Sequence, residues 1–127
     1  MSLRTPLGRV LGKGAAKEGV HHWWMQRVTS VALIPLSVSF VVSLICLPAL
    51  DYGSVHSWIH QSWTAVLLSL FIGLVCWHSK LGLQVVIEDY VHGGAKTISL
   101  LVSTFAHTLI AAASIFAVLK VAFGTAT

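Results

Sequence analysis

Three stretches of this chain are apolar over long runs, and its polar residues gather between them and at the N-terminal end. Val28 to Leu50 (VTSVALIPLSVSFVVSLICLPAL) carries no charged residue, and roughly 20 apolar residues suffice to cross a hydrocarbon core about 30 Å thick. A second stretch opens near Ser62 (SWTAVLLSLFIGLVCWHSKLGLQVVI) and closes on Glu88, Asp89 and Tyr90. A third, Thr97 to Phe123 (TISLLVSTFAHTLIAAASIFAVLKVAF), follows the helix-breaking pair Gly93-Gly94. The pattern predicts transmembrane helices over 28–50, 62–90 and 97–123, the second extending beyond the hydrocarbon. Pro35 removes one backbone hydrogen bond and is expected to kink the first span, and Pro48 to mark its end. DYGSVHSWIHQ reads as a short loop. Residues 1–27 read as a polar N-terminal segment, and the whole as a single domain with no repeat.

Composition agrees with this pattern. Of 127 residues, 56% are hydrophobic and 9% charged, and the mean hydropathy is +0.83, far from soluble averages. The N-terminal segment does not resemble a cleaved signal, because its polar region runs to Arg27 and the following apolar run is too long and lacks an A-x-A-like exit. The first apolar stretch is therefore expected to remain in the mature protein. Cys46 and Cys76 both fall inside apolar stretches and form no CxxC pair, which argues against a disulfide framework or a zinc site.

The net charge of +4 reports topology rather than nucleic acid, since Arg4, Arg9, Lys13, Lys17 and Arg27 all precede the first span and no basic face is interleaved with stacking aromatics. Basic residues near span ends favour the cytoplasmic side. The N-terminal segment has five and the first connection none; Lys96, with Lys80 nearby, marks the second connection, and Lys120 stands alone near the far end. The N-terminus is thus expected in the cytoplasm or a mitochondrial matrix, and the C-terminus in the periplasm or intermembrane space. Trp23 and Trp24 fit an aromatic belt on the inner face, and Tyr52, Trp58 and Trp63 one on the outer face.

Ionisable groups at membrane depth are costly and tend to face a bundle interior or a cofactor, which singles out His78, Lys80, Asp89 and His107. On a helix, the eleven residues from His78 to Asp89 amount to about 1,100°, so both lie within about 20° of one face, about 16 Å apart along the axis. Gly82 lies on the same stripe, where a missing side chain admits something bulky. A neutral imidazole in such a dry site suits an axial haem ligand; it equally suits a hydrogen bond to a neighbouring helix. No second histidine shares the stripe, so another helix or chain would supply a second ligand. Tyr90 could donate to a quinone carbonyl, with Asp89 and Arg27 tuning the charge that develops, or the three could be a belt aromatic, a solvated helix end and a cytoplasmic anchor. His56 and His60 read as solvated, His22 and His92 as interfacial, and His107 as a helix–helix hydrogen bonder or a haem contact.

The segment G-V-H-x-x-x-x-x-R-x-T (Gly19, Val20, His21, Arg27, Thr29), followed by H-x-x-x-G-x-x-x-V-I-x-D-Y-V (His78, Gly82, Val86, Ile87, Asp89, Tyr90, Val91), resembles the small hydrophobic membrane-anchor subunits of succinate dehydrogenase, respiratory complex II. The likeness covers most of the chain, and the His with Asp-Tyr eleven and twelve residues later is its specific part. It implies an all-α membrane protein of three transmembrane helices, half of a heterodimeric anchor bundle. By the resemblance, His78 is an axial ligand of haem b whose other ligand comes from a partner cytochrome b anchor subunit, with Gly82 giving clearance. Tyr90 and Asp89 then bind ubiquinone, Arg27 lies near both quinone and haem propionates, and His21 stands by the haem.

The implied partners are that second anchor, an iron–sulfur subunit, a flavoprotein subunit and membrane lipid, with no nucleic acid. The implied location is a bacterial inner membrane, or a mitochondrial one. The chain itself would make no covalent chemistry outside the enzyme complex. Lys80 departs from an expected apolar or aromatic position, and either snorkels along its helix or approaches a propionate. The rival readings are a cytochrome b anchor of another quinone-linked oxidoreductase such as fumarate reductase, or a non-redox helix bundle in which His and Lys relay protons or bind substrate.

Overall fold

The computed structural model describes residues 16–124, all-helical but for short connections: α1 (Ala16–Ile45), α2 (Tyr52–His60), α3 (Ser62–Tyr90) and α4 (Gly94–Phe123). The basic residues Arg4, Arg9 and Lys13 of the N-terminal segment lie outside the described residues. α3 and α4, with Gly19–Ile45 of α1, are each long and apolar enough to cross a membrane. α1 begins twelve residues upstream of the expected span 28–50 and ends five before its close. Its polar N-terminal turns extend the same helix, and it runs through Pro35.

A bilayer offers no water to a stray polar group, and several hydroxyls within the spans bond to their own helix backbone. Ser30 and Ser43 donate back to the carbonyls of Gln26 and Ser39 at 2.8 and 2.7 Å, and Thr108 to that of Thr104 at 2.8 Å. These bonds close inside one turn, leaving the helix exterior apolar.

The connection 51–61 is a nine-residue helix rather than a loop. Asp51 makes the difference: in extended conformation, its Oδ1 accepts from the Ser54 N–H at 2.8 Å, satisfying a donor that the first helical turn leaves free. α2 then passes through Gln61 into α3, with Trp58 set against Phe40 of α1 at 6.2 Å between rings and Phe40 stacked on Phe71 at 5.1 Å.

α3 is the central element. It packs along α4 and along the inward face of α1, whereas no α carbon of α1 comes within 8 Å of one in α4 among the described residues. The long helices therefore form a row, not a closed bundle. At one end Ala65, Val118 and Ala122 are buried together with Ile59 of α2, Leu68 and Ile72. Small residues there let the backbones approach. Large apolar side chains such as Val31, Ile34, Val38, Phe105, Leu109 and Phe116 remain exposed along α1 and α4, a surface suited to lipid or to other helices.

At the opposite end, α3 turns into α4 through Gly93, which has φ +66° and ψ −151°, a region essentially restricted to glycine. Lys96 Nζ reaches back to the Glu88 carbonyl at 3.3 Å and clasps the turn. Gly94 follows as the first helical residue, and a Cβ there would meet nothing within 4 Å. Gly93→Ala is therefore expected to cost about 1–3 kcal/mol, and Gly94→Ala to be neutral or mildly stabilising, as read from thermal unfolding of the detergent-solubilised protein.

Candidate functional site

α3 runs unbroken from Ser62 to Tyr90, so His78, Gly82 and Asp89 share one continuous helix. His78 faces α1. Its Nδ1 lies 2.9 Å from Thr29 Oγ1, and its Nε2 lies 3.2 Å from Gln26 Nε2. An amide nitrogen only donates, so His78 Nε2 accepts and carries its lone pair toward Gln26. Thr29 is buried and His78 partly buried, which keeps the junction dry. A Cβ at Gly82 would stand 3.7 Å from Gln26 Nε2, so a larger residue there would press on the same amide.

Below this junction, toward Tyr90, α1 and α3 part into a groove of about 520 Å³ lined by Gly19, His22, Trp23, Gln26, Gly82 and Glu88, among others. Gln26 Oε1 and His22 Nε2 are buried beside it without hydrogen-bond partners. A buried polar atom left unpaired is costly, which marks this end of the α1–α3 seam as polar and incomplete. Two further hollows line other parts of the α1–α2–α3 region, but neither includes a histidine of the seam or the residues of the Asp-Tyr pair.

The remaining residues of interest spread around this seam. Tyr90 is the last residue of α3 and 79% exposed, with Asp89 exposed beside it. Twelve residues of rise, about 18 Å, separate Tyr90 from His78. Arg27 follows Gln26 directly and so shares the level of His78 rather than that of Tyr90. Its guanidinium lies 5.5 Å from the Trp23 ring on the exposed side of α1, and His21 is exposed nearer the start of the same helix. The structure thus joins His78 to Thr29 and Gln26 and keeps Arg27 and His21 off that junction.

Lys80 lies two residues past His78, about 200° round the helix, and its Nζ sits 5.2 Å from the centroid of the Trp77 ring. That cation–π contact accounts for a charge in an apolar helix. His107 is the α3–α4 counterpart of the α1 junction. Its Nδ1 donates to the Ser103 carbonyl at 2.8 Å, which leaves Nε2 to accept from Ser79 Oγ at 3.2 Å.

Among the described residues no three His, Cys, Asp or Glu side chains converge on one point. Neither Gln26 nor Thr29 takes a role from the sequence alone. A helical wheel would have found them, because Gly19, His22, Gln26 and Thr29 recur at the spacing of one α1 face; nothing in the sequence, however, named α3 as that face's partner.

Fold and site together define an all-α membrane protein of three long apolar helices, organised around an intramembrane histidine. Residues 1–121 match the family of succinate dehydrogenase/fumarate reductase transmembrane subunits, and the chain belongs to that family. It is similar to the succinate dehydrogenase hydrophobic membrane anchor subunit of Paracoccus denitrificans, 26% identical over 94% of this chain and 93% of the relative. The corresponding subunit of Rickettsia conorii is 32% identical over 80% of this chain and 83% of its own. The succinate dehydrogenase membrane anchor subunit of Reclinomonas americana is 31% identical over 61% and 67%. No solved structure matches the chain significantly.

The Ser79–His107 bond is testable by a double-mutant cycle. Ser79→Ala and His107→Phe, alone and combined, are expected to show a coupling of about 0.6 kcal/mol, measured by reversible unfolding in mixed micelles.

Proposed function

We propose that the chain is the hydrophobic membrane-anchor subunit of a bacterial succinate:quinone oxidoreductase, embedded in the inner membrane with its N-terminus cytoplasmic. Its partners are a second anchor subunit, an iron–sulfur subunit and a flavoprotein subunit. The family match and the curated relatives support the anchor role, and relatives from Paracoccus and Rickettsia support the bacterial membrane. The observation that carries the cofactor reading is His78, an embedded imidazole whose Nε2 is an acceptor facing a seam with unpaired polar atoms.

These residues fit haem b. Iron takes a neutral imidazole through an unprotonated nitrogen, Gly82 leaves clearance one turn away, and Gln26 and His22 have polar capacity to spare. His78 would hold the iron from this side, the partner anchor would supply the second ligand, and His21 and Arg27 would meet the propionates. Bound there, haem b supplies a one-electron store within the membrane.

Quinone reduction is assigned to the exposed end of α3. The Tyr90 hydroxyl can donate to a quinone carbonyl, stabilising negative charge as it develops. Asp89, exposed beside it, can take up protons from water and pass them on. The large exposure of Tyr90 is what a site completed by other subunits requires. The naming of curated relatives for succinate dehydrogenase favours succinate oxidation over fumarate reduction as the partner reaction.

Two measurements test the reading in the purified complex. His78→Ala is expected to abolish or strongly bleach the b-type reduced-minus-oxidised spectrum while the subunits stay assembled; an unchanged spectrum would remove the ligand assignment. Tyr90→Phe is expected to lower quinone reduction about 10²-fold or more while sparing succinate oxidation by an artificial dye. Equal loss of both activities would count against the quinone site.

A further inference from the structure

Thr29 is 3% exposed, as deep as any described residue, on a helix where Ser30 and Ser43 bond only to their own backbone. Its Oγ1 has three neighbours: the Met25 carbonyl at 2.9 Å, the Gln26 carbonyl at 3.1 Å and His78 Nδ1 at 2.9 Å. A hydroxyl has one proton, and carbonyls only accept. Donated to the α1 backbone, that proton leaves the oxygen's lone pairs facing the imidazole, and Nδ1 then carries the ring proton.

The other ring nitrogen agrees with this: the Gln26 amide nitrogen faces His78 Nε2, and there it can only donate. Turning the Gln26 amide over would put its oxygen against Nε2 and demand the proton there. The Thr29 hydroxyl would then turn its proton from the backbone carbonyls to Nδ1. Both arrangements occupy the two ring nitrogens; the one that keeps the Thr29 back-bond to Met25 has the proton on Nδ1.

We propose that Thr29 is a positioning residue for His78: its hydroxyl, anchored to the α1 backbone, holds the imidazole as the Nδ1–H tautomer and presents an unprotonated Nε2 for ligation. The role in ligation rests on the haem reading above. Threonine suits it better than a freely rotating donor, because the branched Cβ is stiff at χ1 and the back-bond to Met25 fixes the remaining choice. The bond also fixes the ring's rotation about its Cβ–Cγ axis. In the chain His78 N–H to Thr29 O–H to Met25 C=O each bond polarises the next, increasing the electron density that His78 offers to a bound ferric iron. Such a partner lowers a haem's potential. Gln26, in contrast, occupies the ligating nitrogen itself and must release it when a ligand arrives.

The test compares Thr29→Val, similar in shape but without the hydroxyl, with Thr29→Ser, which keeps it. In the purified complex, Thr29→Val is expected to weaken haem retention about 10–100-fold and to raise the midpoint potential of the b-type signal, with Thr29→Ser restoring both toward wild type. Retention and potential unchanged in Thr29→Val would overturn the proposal. If Thr29→Val fails to assemble, the full chain labelled with ¹⁵N-histidine in nanodiscs decides the matter. A protonated Nδ1 and unprotonated Nε2 at His78 support it, and a proton on Nε2 sinks it. A wild-type complex without any b-type signal would instead strike the haem reading, and the nitrogen resonances would still judge the Thr29–His78 claim separately.

Discussion

Two consecutive residues of α3 hold the three long helices in register. His78 is hydrogen-bonded to Thr29 and Gln26 of α1, and Ser79, about 100° further round the helix, to His107 of α4. In hydrocarbon no water can substitute for a lost partner, so sliding either neighbour along α3 would strand polar groups on both sides. Because α1 and α4 do not approach each other, this one level of α3 sets the position of each relative to the other.

The two ends of the row have different character, and the difference follows from side-chain size and polarity. Toward α2, Ala65 and Ala122 allow α3 and α4 close approach beside Val118, and Trp58, Phe40 and Phe71 line a hollow of about 300 Å³ against α1. Toward Tyr90, α1 and α3 part around Gly19 and Gly82, with polar atoms of His22 and Gln26 left unpaired. An end closed by the α3–α4 contact beside a seam with unpaired polar atoms is the form expected of a subunit completed by partners. The open row, exposing apolar side chains along α1 and α4, points the same way.

Much of the fold was legible because long uncharged runs are the strongest signal a sequence carries in lipid. The three spans, the continuity of α3 through His78 and Asp89, and the break at Gly93-Gly94 all rest on composition and helix geometry. Less legible were features set by single hydrogen bonds. The connection 51–61 contains Gly53 and polar residues and reads as a loop, yet the Asp51 cap organises it into a helix. The polar start of α1 lacks the hydropathy of a span but continues its helix from Ala16. Lys80 resisted a sequence explanation because its partner, Trp77, is a neighbour only in a helix, and an aromatic face does not announce itself as a cation site.

By itself the sequence determined what must be buried in a membrane and which residues are too costly to be there without purpose: His78, Asp89 and His107 stand out from charge and hydropathy alone. It also placed His78, Gly82 and Asp89 on one stripe, since helical periodicity is a local property. Only the tertiary structure decided what His78 touches. Thr29 and Gln26 lie 49 and 52 residues away, and their choice depends on which helix packs against which face. The partners of both His78 ring nitrogens are therefore a property of the α1–α3 contact and of no segment alone.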